Sequence, residues 1–202
     1  MNTIQATRQG VGAILVALCG ALLNLGPARA DSPCVTITAP VLEITAVDCT
    51  QAKVWSQLQE SGRFPDVFAG SGKMTNLCYV STAPVPAFIG DTQVTIASTL
   101  SGWTTDFDPV LLGGTDNLGT VVTQLTIAQV RGRALGRVFT RDTIDLSQIF
   151  TTGTASEEDV IVGGSAVLEG AKGAYRATDT PEDPQAAKVK LTNLSGLICF
   201  ND

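Results

Sequence analysis

The chain of 202 residues contains no histidine, only two tryptophans and two tyrosines, and few charged residues. Without histidine, the protein has no Ser-His or Cys-His nucleophile pair, no imidazole acid or base and no histidine-ligated metal. Charged residues make up 16% of the sequence and the net charge is −6, which argues against the clustered basic face of a nucleic-acid-binding protein. Threonine, valine, glycine and alanine are abundant instead, and this composition favours strands and turns over helices.

The first 30 residues have the features of a cleavable signal peptide. Arg8 supplies a positive charge, residues 11–25 are uncharged and mainly apolar, and residues 28–30 (Ala-Arg-Ala) have the form of a cleavage site. Asn24 and Pro27 interrupt the apolar run before it reaches the ~20 residues of a membrane span. We therefore expect a secreted or periplasmic protein whose residues 31–202 form a single domain. Removal of the leader takes away two arginines and no acid, so the net charge becomes −8.

Four cysteines remain after the leader: Cys34, Cys49, Cys78 and Cys199. An even number of cysteines in an exported chain predicts two disulfides, with three possible connectivities. We favour Cys34–Cys49 with Cys78–Cys199, because the first two flank a candidate hairpin whose turn lies at Ala39-Pro40. No CxxC pair and no histidine is present to support a metal site or a nucleophilic cysteine.

Most of the mature chain has the pattern of strands separated by Gly, Pro, Asp and Asn. The segment Gln93–Leu100 alternates, with Val94, Ile96 and Leu100 on one face and threonines on the other. A helical turn is expected only at Lys53–Gln59. The pattern predicts an all-β fold with little helix, an antiparallel β-barrel, with a β-sandwich as the alternative. The predicted strands are Val35–Thr38, Val41–Ala46, Leu77–Ser81, Gln93–Leu100, Thr120–Val130, Arg133–Arg141, Ile144–Phe150, Asp159–Leu168 and Lys188–Phe200.

Four arginines at odd positions, Arg131, Arg133, Arg137 and Arg141, are the most distinctive local cluster. On one continuous strand they share a face, and their guanidinium groups could hold a carboxylate or phosphate ligand at the mouth of a barrel. They are therefore the candidate ligand-binding residues. The commoner arrangement is an outward charged face paired with acids on neighbouring strands.

Two acidic segments are further candidates. The loop that carries Asp106, Asp108 and Asp116 has oxygen donors suited to calcium, but its spacing lacks the EF-hand pattern and ordinary turn chemistry is favoured. The run Glu157–Asp159 could supply a general acid and base only if two carboxylates faced each other across a cleft. A solvated loop tip is the expected setting for this run, and no metal is expected.

Two stretches, residues 119–136 (GTVVTQLTIAQVRGRALG) and 157–178 (EEDVIVGGSAVLEGAKGAYRAT), resemble the allene oxide cyclase/dirigent barrel superfamily. Members carry a strand that ends in a turn of the form GGTGxF or GGTGxY, and residues 170–175 (GAKGAY) occupy the corresponding position. The sequence departs from the pattern because Gly-Ala-Lys replaces Gly-Gly-Thr, and Ala177-Thr178-Asp179 replaces the usual Ala-x-Gly. The resemblance covers about Gly119 to Ala177 and implies an eight-stranded barrel with an apolar interior that binds small hydrophobic or phenolic molecules. No residue that carries activity in those families has a matching position here.

These observations predict an exported β-barrel that binds or guides a small apolar ligand without covalent or metal catalysis. No cofactor, nucleic-acid partner or membrane span is expected, and no catalytic constellation is recognisable that would mark an enzyme. The alternative is a secreted surface or matrix protein that acts through sheet edges and loops and has no small-molecule ligand. A secreted hydrolase is a third hypothesis, which requires two acids in one cleft.

Overall fold

The computed structural model describes residues 34–69, 75–81, 83–104, 108, 110, 113–130, 133–182 and 187–200. The predicted signal peptide lies outside these residues. The strands are β1 (Cys34–Asp48), β2 (Leu77–Ser81), β3 (Val85–Ile89), β4 (Thr92–Trp103), β5 (Leu118–Gln129), β6 (Ala134–Asp145), β7 (Ala155–Ala166), β8 (Lys172–Pro181) and β9 (Lys188–Cys199). The helices are α1 (Val54–Glu60), α2 (Pro65–Phe68) and α3 (Ile149–Thr152). None of the described helices is long and apolar enough to cross a membrane.

The strands close into one antiparallel barrel with eight strand positions. From β3 onward each strand pairs with the next along the chain, and β9 returns to pair with β1 from Cys34↔Cys199 to Thr45↔Lys188. Strands β2 and β3 together fill one position, since both lie between β1 and β4. The predicted antiparallel barrel with little helix is therefore confirmed, and the β-sandwich alternative is wrong.

Strand β1 runs without a turn through the place where a hairpin was predicted. Pro40 has no cross-strand partner: β1 pairs with β3 only before it, at Ile37 and Thr38, with β2 only after it, from Thr45 onward, and with β9 on either side of it, at Ala39 and Val41. Proline has no N–H to donate to a ladder, so this gap between two ladders accommodates it without loss of a hydrogen bond. A 15-residue strand at about 3.3 Å per residue separates its ends by roughly 50 Å.

That length makes the favoured disulfide connectivity wrong, because Cys34 and Cys49 lie at opposite ends of β1 and bridged Cα atoms are at most about 7 Å apart. The disulfides are Cys34–Cys199, with Cα atoms 3.9 Å apart, and Cys49–Cys78, with Cα atoms 5.2 Å apart. The first joins the start of β1 to the end of β9, which are direct partners across the barrel seam. The second joins the two ends of the segment that carries α1 and α2.

The segment between the disulfide-bonded Cys49 and Cys78 forms a layer on the outside of the barrel. Helix α1 confirms the predicted helical turn and packs against β4 and β5. Trp55 lies directly over Gly102, where an added Cβ would be 2.7 Å from the indole ring. A register shift between Ile96 and Ser98 changes the alternation of β4, so Leu100 packs under this layer. The prediction that Leu100 shares a face with Val94 and Ile96 is therefore wrong.

Two further predictions from the sequence are wrong in detail. The segment Ile144–Phe150 is not a strand throughout, since β6 ends at Asp145 and residues 149–152 form α3. The Asp145 carboxylate accepts a hydrogen bond from the Ser147 amide, a local turn that ends the strand. Strands β3 and β8 were missed because their prolines and glycines were assigned to loops.

The barrel interior is packed by aliphatic side chains at the end where β1 begins and β9 ends. Toward the opposite end, where β4, β6 and β8 finish, the packing gives way to a cavity. A small cluster of Leu146, Ile149 and Ala155, with Val110 against it, lies at that end of the barrel. The aliphatic residues of the packed end are Ile37, Ala87, Ile89, Val94, Ile96, Ile127, Val138, Ile161, Leu168, Ala171 and Ile198.

Candidate functional site

The cavity in the barrel offers about 70 Å³ to the centres of water-sized molecules. At 10–15 Å³ for each water, this space corresponds to roughly five to seven water molecules. Its walls are mainly aliphatic and aromatic, with carboxyl groups on β7 and β8 and threonine and serine hydroxyls on β4 and β5. The lining includes Leu42, Ile44, Leu77, Tyr79, Thr99, Ser101, Trp103, Val121, Thr123, Leu125, Ile144, Leu146, Ala155, Glu157, Asp159, Tyr175, Asp179, Val189, Leu191 and Leu194.

Four acidic side chains lie together in the interior, and the strand register explains why. Asp142 on β6 is directly opposite Asp159 on β7, which is in turn opposite Tyr175 on β8. Glu157 lies two residues before Asp159 and therefore shares its face. Asp179 is two residues beyond the direct partner of Glu157, a diagonal position within reach of a long side chain. We call Asp142, Glu157, Asp159 and Asp179 the acid cluster.

The acid cluster is buried and incompletely hydrogen-bonded. Its side chains are between 0% and 7% exposed, and one carboxylate oxygen from each of Asp142, Glu157 and Asp159 lies within 4.8 Å of the others. Both carboxylate oxygens of Asp142, one of Asp159 and one of Asp179 have no hydrogen-bond partner. No lysine or arginine of the described residues lines the cavity. Unpaired buried carboxylates carry a large free-energy cost, so the cluster needs protons or a ligand.

The surroundings favour protons on these groups when the cavity holds no cation. Burial raises the pKa of Asp142, and burial together with the charge of Asp142 raises the pKa of Asp179 to about 7. The pKa values of Glu157 and Asp159 lie well above the ordinary range, first through burial and then through the neighbouring carboxylates. Burial likewise raises the pKa of Tyr175, which stays a neutral phenol. Near neutral pH the site therefore contains carboxyl groups that can both donate and accept hydrogen bonds.

The predicted arginine row does not line the cavity in the part of the chain that the structure describes. Arg133 and Arg137 are exposed. Arg141 lies on the outer face of β6, pairs with Asp66 and stacks over Phe64. Arg131 lies outside the described residues. Binding of an anion on the outer face by these arginines stays a prediction.

The interpretation of Glu157–Asp159 as a solvated loop tip is wrong. Strand β7 begins at Ala155 instead of Asp159, so Glu157 and Asp159 point inward while Glu158 points outward and pairs with Arg176. The burial alternates strictly from Ala155 to Ile161. The alternation is present in the sequence, but Glu157 and Asp159 occupy inward positions that are apolar in a typical strand.

The other acidic candidate shows turn chemistry in its described part. The carboxylate of Asp116 accepts a hydrogen bond from the Asp108 backbone amide, and Asp108 in turn accepts from the amides of Thr115 and Asp116 through its carbonyl. This confirms local turn bonding for these two residues. Asp106 lies outside the described residues.

Comparisons of the chain with protein-family models, with curated proteins and with solved structures found no match in any of the three. The eight-stranded barrel agrees with the architecture that the sequence resemblance implies. The two disulfides fit an oxidising compartment.

Proposed function

We propose that the protein binds a small, mainly apolar ligand inside the barrel, and that the ligand places a polar group against the acid cluster. The observation that carries this proposal is a cavity whose walls are apolar on one side and bear unpaired carboxyl groups on the other. Concave, largely apolar sites with a few convergent polar groups are typical of small-molecule binding. Binding or guidance by shape, without a covalent or metal-dependent step, remains part of the proposal, as does membership in the allene oxide cyclase/dirigent superfamily.

The walls favour an apolar ligand over a carbohydrate. Trp103, Tyr79 and Leu191 present apolar surface to the cavity, and about 25 cal/mol is gained for each Å² of apolar surface that leaves water. A sugar needs many hydrogen-bond partners around its ring, whereas apolar residues outnumber polar ones in this lining.

The experiment measures binding of 2-phenylethanol and toluene by isothermal titration calorimetry to three proteins. These are the wild type, Thr99→Leu, which fills the cavity, and Thr143→Leu, which adds the same side chain to the outer face of β6. Thr99 is 2% exposed and its hydroxyl has no hydrogen-bond partner, so leucine removes no internal bond. We expect Thr99→Leu to weaken binding at least tenfold and Thr143→Leu to leave it unchanged. Absence of binding to the wild type, or equal binding by all three proteins, contradicts the proposal.

A further inference from the structure

The charge inside the barrel is unbalanced. Four acidic side chains and a buried tyrosine face one another across β6, β7 and β8, and no described lysine or arginine is buried. Hydroxyl groups of Ser101 and Thr123 bond to each other at 2.8 Å and leave the carboxyl oxygens of Asp142 without a donor. The missing complement of this cluster is a positively charged hydrogen-bond donor.

We infer that the ligand of the barrel is a small organic amine, whose ammonium group binds among Asp142, Glu157 and Asp159 and whose apolar body occupies the rest of the cavity. The inference rests on the proposed function, and it specifies the ligand's polar group. An ammonium carries three N–H donors and no acceptor, and three carboxylate residues surround the position. These donors can satisfy oxygens that otherwise have no partner.

The spacing of the oxygens fits a nitrogen. One oxygen from each of these three residues lies within 4.8 Å of the other two, so a single nitrogen can be placed no more than about 2.8 Å from each, within the range of an N–H···O bond between opposite charges. Calcium–oxygen bonds are shorter, about 2.3–2.6 Å, and calcium takes six to eight oxygen ligands. The cavity walls that continue from the cluster are mainly apolar, and they suit the hydrocarbon part of an amine.

A second observation, independent of the acids, is the hydroxyl of Thr140. It is fully buried, has no hydrogen-bond partner and lies on the inner face of β6, two residues from Asp142. A buried polar group without a partner in a native protein indicates a missing ligand, ion or water. The Thr140 hydroxyl can donate to Asp142 when that carboxyl is ionised, and a bound ammonium favours the ionised form.

Charge balance also favours a single positive charge. Because burial keeps the acid cluster largely protonated in the empty barrel, a bound ammonium needs one carboxyl group to release its proton to the solvent. One carboxylate and one ammonium then form a neutral pair, and the other carboxyl groups keep their protons and donate hydrogen bonds to it. A divalent cation requires two carboxyl groups to release their protons.

The test compares three probes of similar shape: 2-phenylethylamine, 2-phenylethanol and 3-phenylpropionate. Titration calorimetry is performed at pH 6, below the pKa of about 7 for Asp179, in two buffers with different ionisation enthalpies, which reports the protons released. We expect the amine to bind at least tenfold more tightly than the alcohol and to release up to one proton, the alcohol to release none, and the carboxylate to bind most weakly.

Variants locate the effect. Asp142→Asn with Asp159→Asn, or Glu157→Gln alone, should reduce the preference for the amine over the alcohol to less than threefold. Glu158→Gln, the outward neighbour of both β7 acids, should keep the full preference.

Equal affinity for amine and alcohol, or binding of the amine without proton release, overturns the ammonium site and leaves the proposed apolar ligand intact. Binding of none of the probes overturns both. A titration with calcium chloride alone forms the last arm. If calcium binds at submillimolar concentration and displaces the amine, the acid cluster is a metal site and the inference is wrong.

Discussion

Replacement of Asp179 by asparagine should stabilise the empty barrel above neutral pH. The pKa of Asp179 is raised from 3.8 to about 7, mainly because burial disfavours its charged form. Between these values the unfolded chain binds fewer protons than the folded chain, so the free energy of unfolding falls as the pH rises. Asparagine has nearly the same shape and cannot ionise, and it therefore removes this loss.

The magnitude follows from the two pKa values. Their difference, at 1.36 kcal/mol per pKa unit, corresponds to about 4 kcal/mol above pH 7 for this carboxyl group. In a domain of this size 1 kcal/mol shifts Tm by about 2–4 °C, so Asp179→Asn should raise Tm by about 10 °C at pH 8. At pH 4 the folded-state carboxyl of the wild type is protonated, and we expect the two proteins to agree within about 1 kcal/mol.

The assay is thermal unfolding followed by circular dichroism at pH 4 and pH 8, with urea titrations to obtain the free energy of unfolding. Glu158→Gln is the matched control, because Glu158 is exposed and its pair with Arg176 contributes at most about 1 kcal/mol. Hydrogen bonds lower the pKa values of Asp48, Asp66 and Asp145 from the ordinary 3.8, so these groups do not account for a difference between pH 4 and pH 8. A variant that is equally stabilised at both pH values, or destabilised at pH 8, would refute the reasoning.

Two further substitutions test the outer layer and the barrel seam. Gly102→Ala should lower the free energy of unfolding by about 1–3 kcal/mol, because the added Cβ would lie 2.7 Å from the Trp55 ring. Trp55→Leu should reduce this loss in a double-mutant cycle measured by urea titration. If the effects of the two substitutions are additive, the contact is contradicted. Serine at both Cys34 and Cys199, which lie 165 residues apart in sequence, should cost about 3–5 kcal/mol through loss of chain entropy in the unfolded state. If the variant unfolds at the same urea concentration as the wild type, the disulfide does not stabilise the barrel.

The barrel could be predicted from the sequence because alternation and turn residues act locally. On β5, for example, Val121, Leu125 and Ile127 share one face, and such a pattern indicates which face is buried. The closure of the sheet is not a local property. It depends on β1 running straight through Pro40, which has no cross-strand partner on β2, β3 or β9. The straight course of β1 also determines the disulfide connectivity. A hairpin would bring Cys49 back to Cys34, whereas a straight strand places it at the opposite end of the barrel.

The acid cluster could not be predicted, because its members come from three strands, β6, β7 and β8. In addition, Glu157 and Asp159 belong to an acidic run that has the pattern of a surface loop. Glu157 and Glu158 are chemically alike and adjacent, yet one is 7% exposed and the other pairs with Arg176 on the outside. Only the register of β7 between β6 and β8 distinguishes them. For the arginine cluster the opposite holds. Its regular spacing predicts a ligand site, but Arg141 pairs with Asp66 on the outside of the barrel.

The proposed ligand connects the stability of the barrel to its function. The carboxyl groups that destabilise the empty barrel at high pH are the ones that an amine would satisfy, so proton loss and amine binding must be coupled. If binding releases one proton, affinity should increase as the pH is raised, by up to tenfold for each pH unit, until about pH 7, where Asp179 titrates. Above that pH the affinity should level off. Asp142, Glu157, Asp159 and Tyr175 face the same space and would shift this midpoint upward. Calorimetric titrations of 2-phenylethylamine from pH 5 to pH 9 measure the slope, and an affinity that stays constant or falls over this range contradicts the coupling.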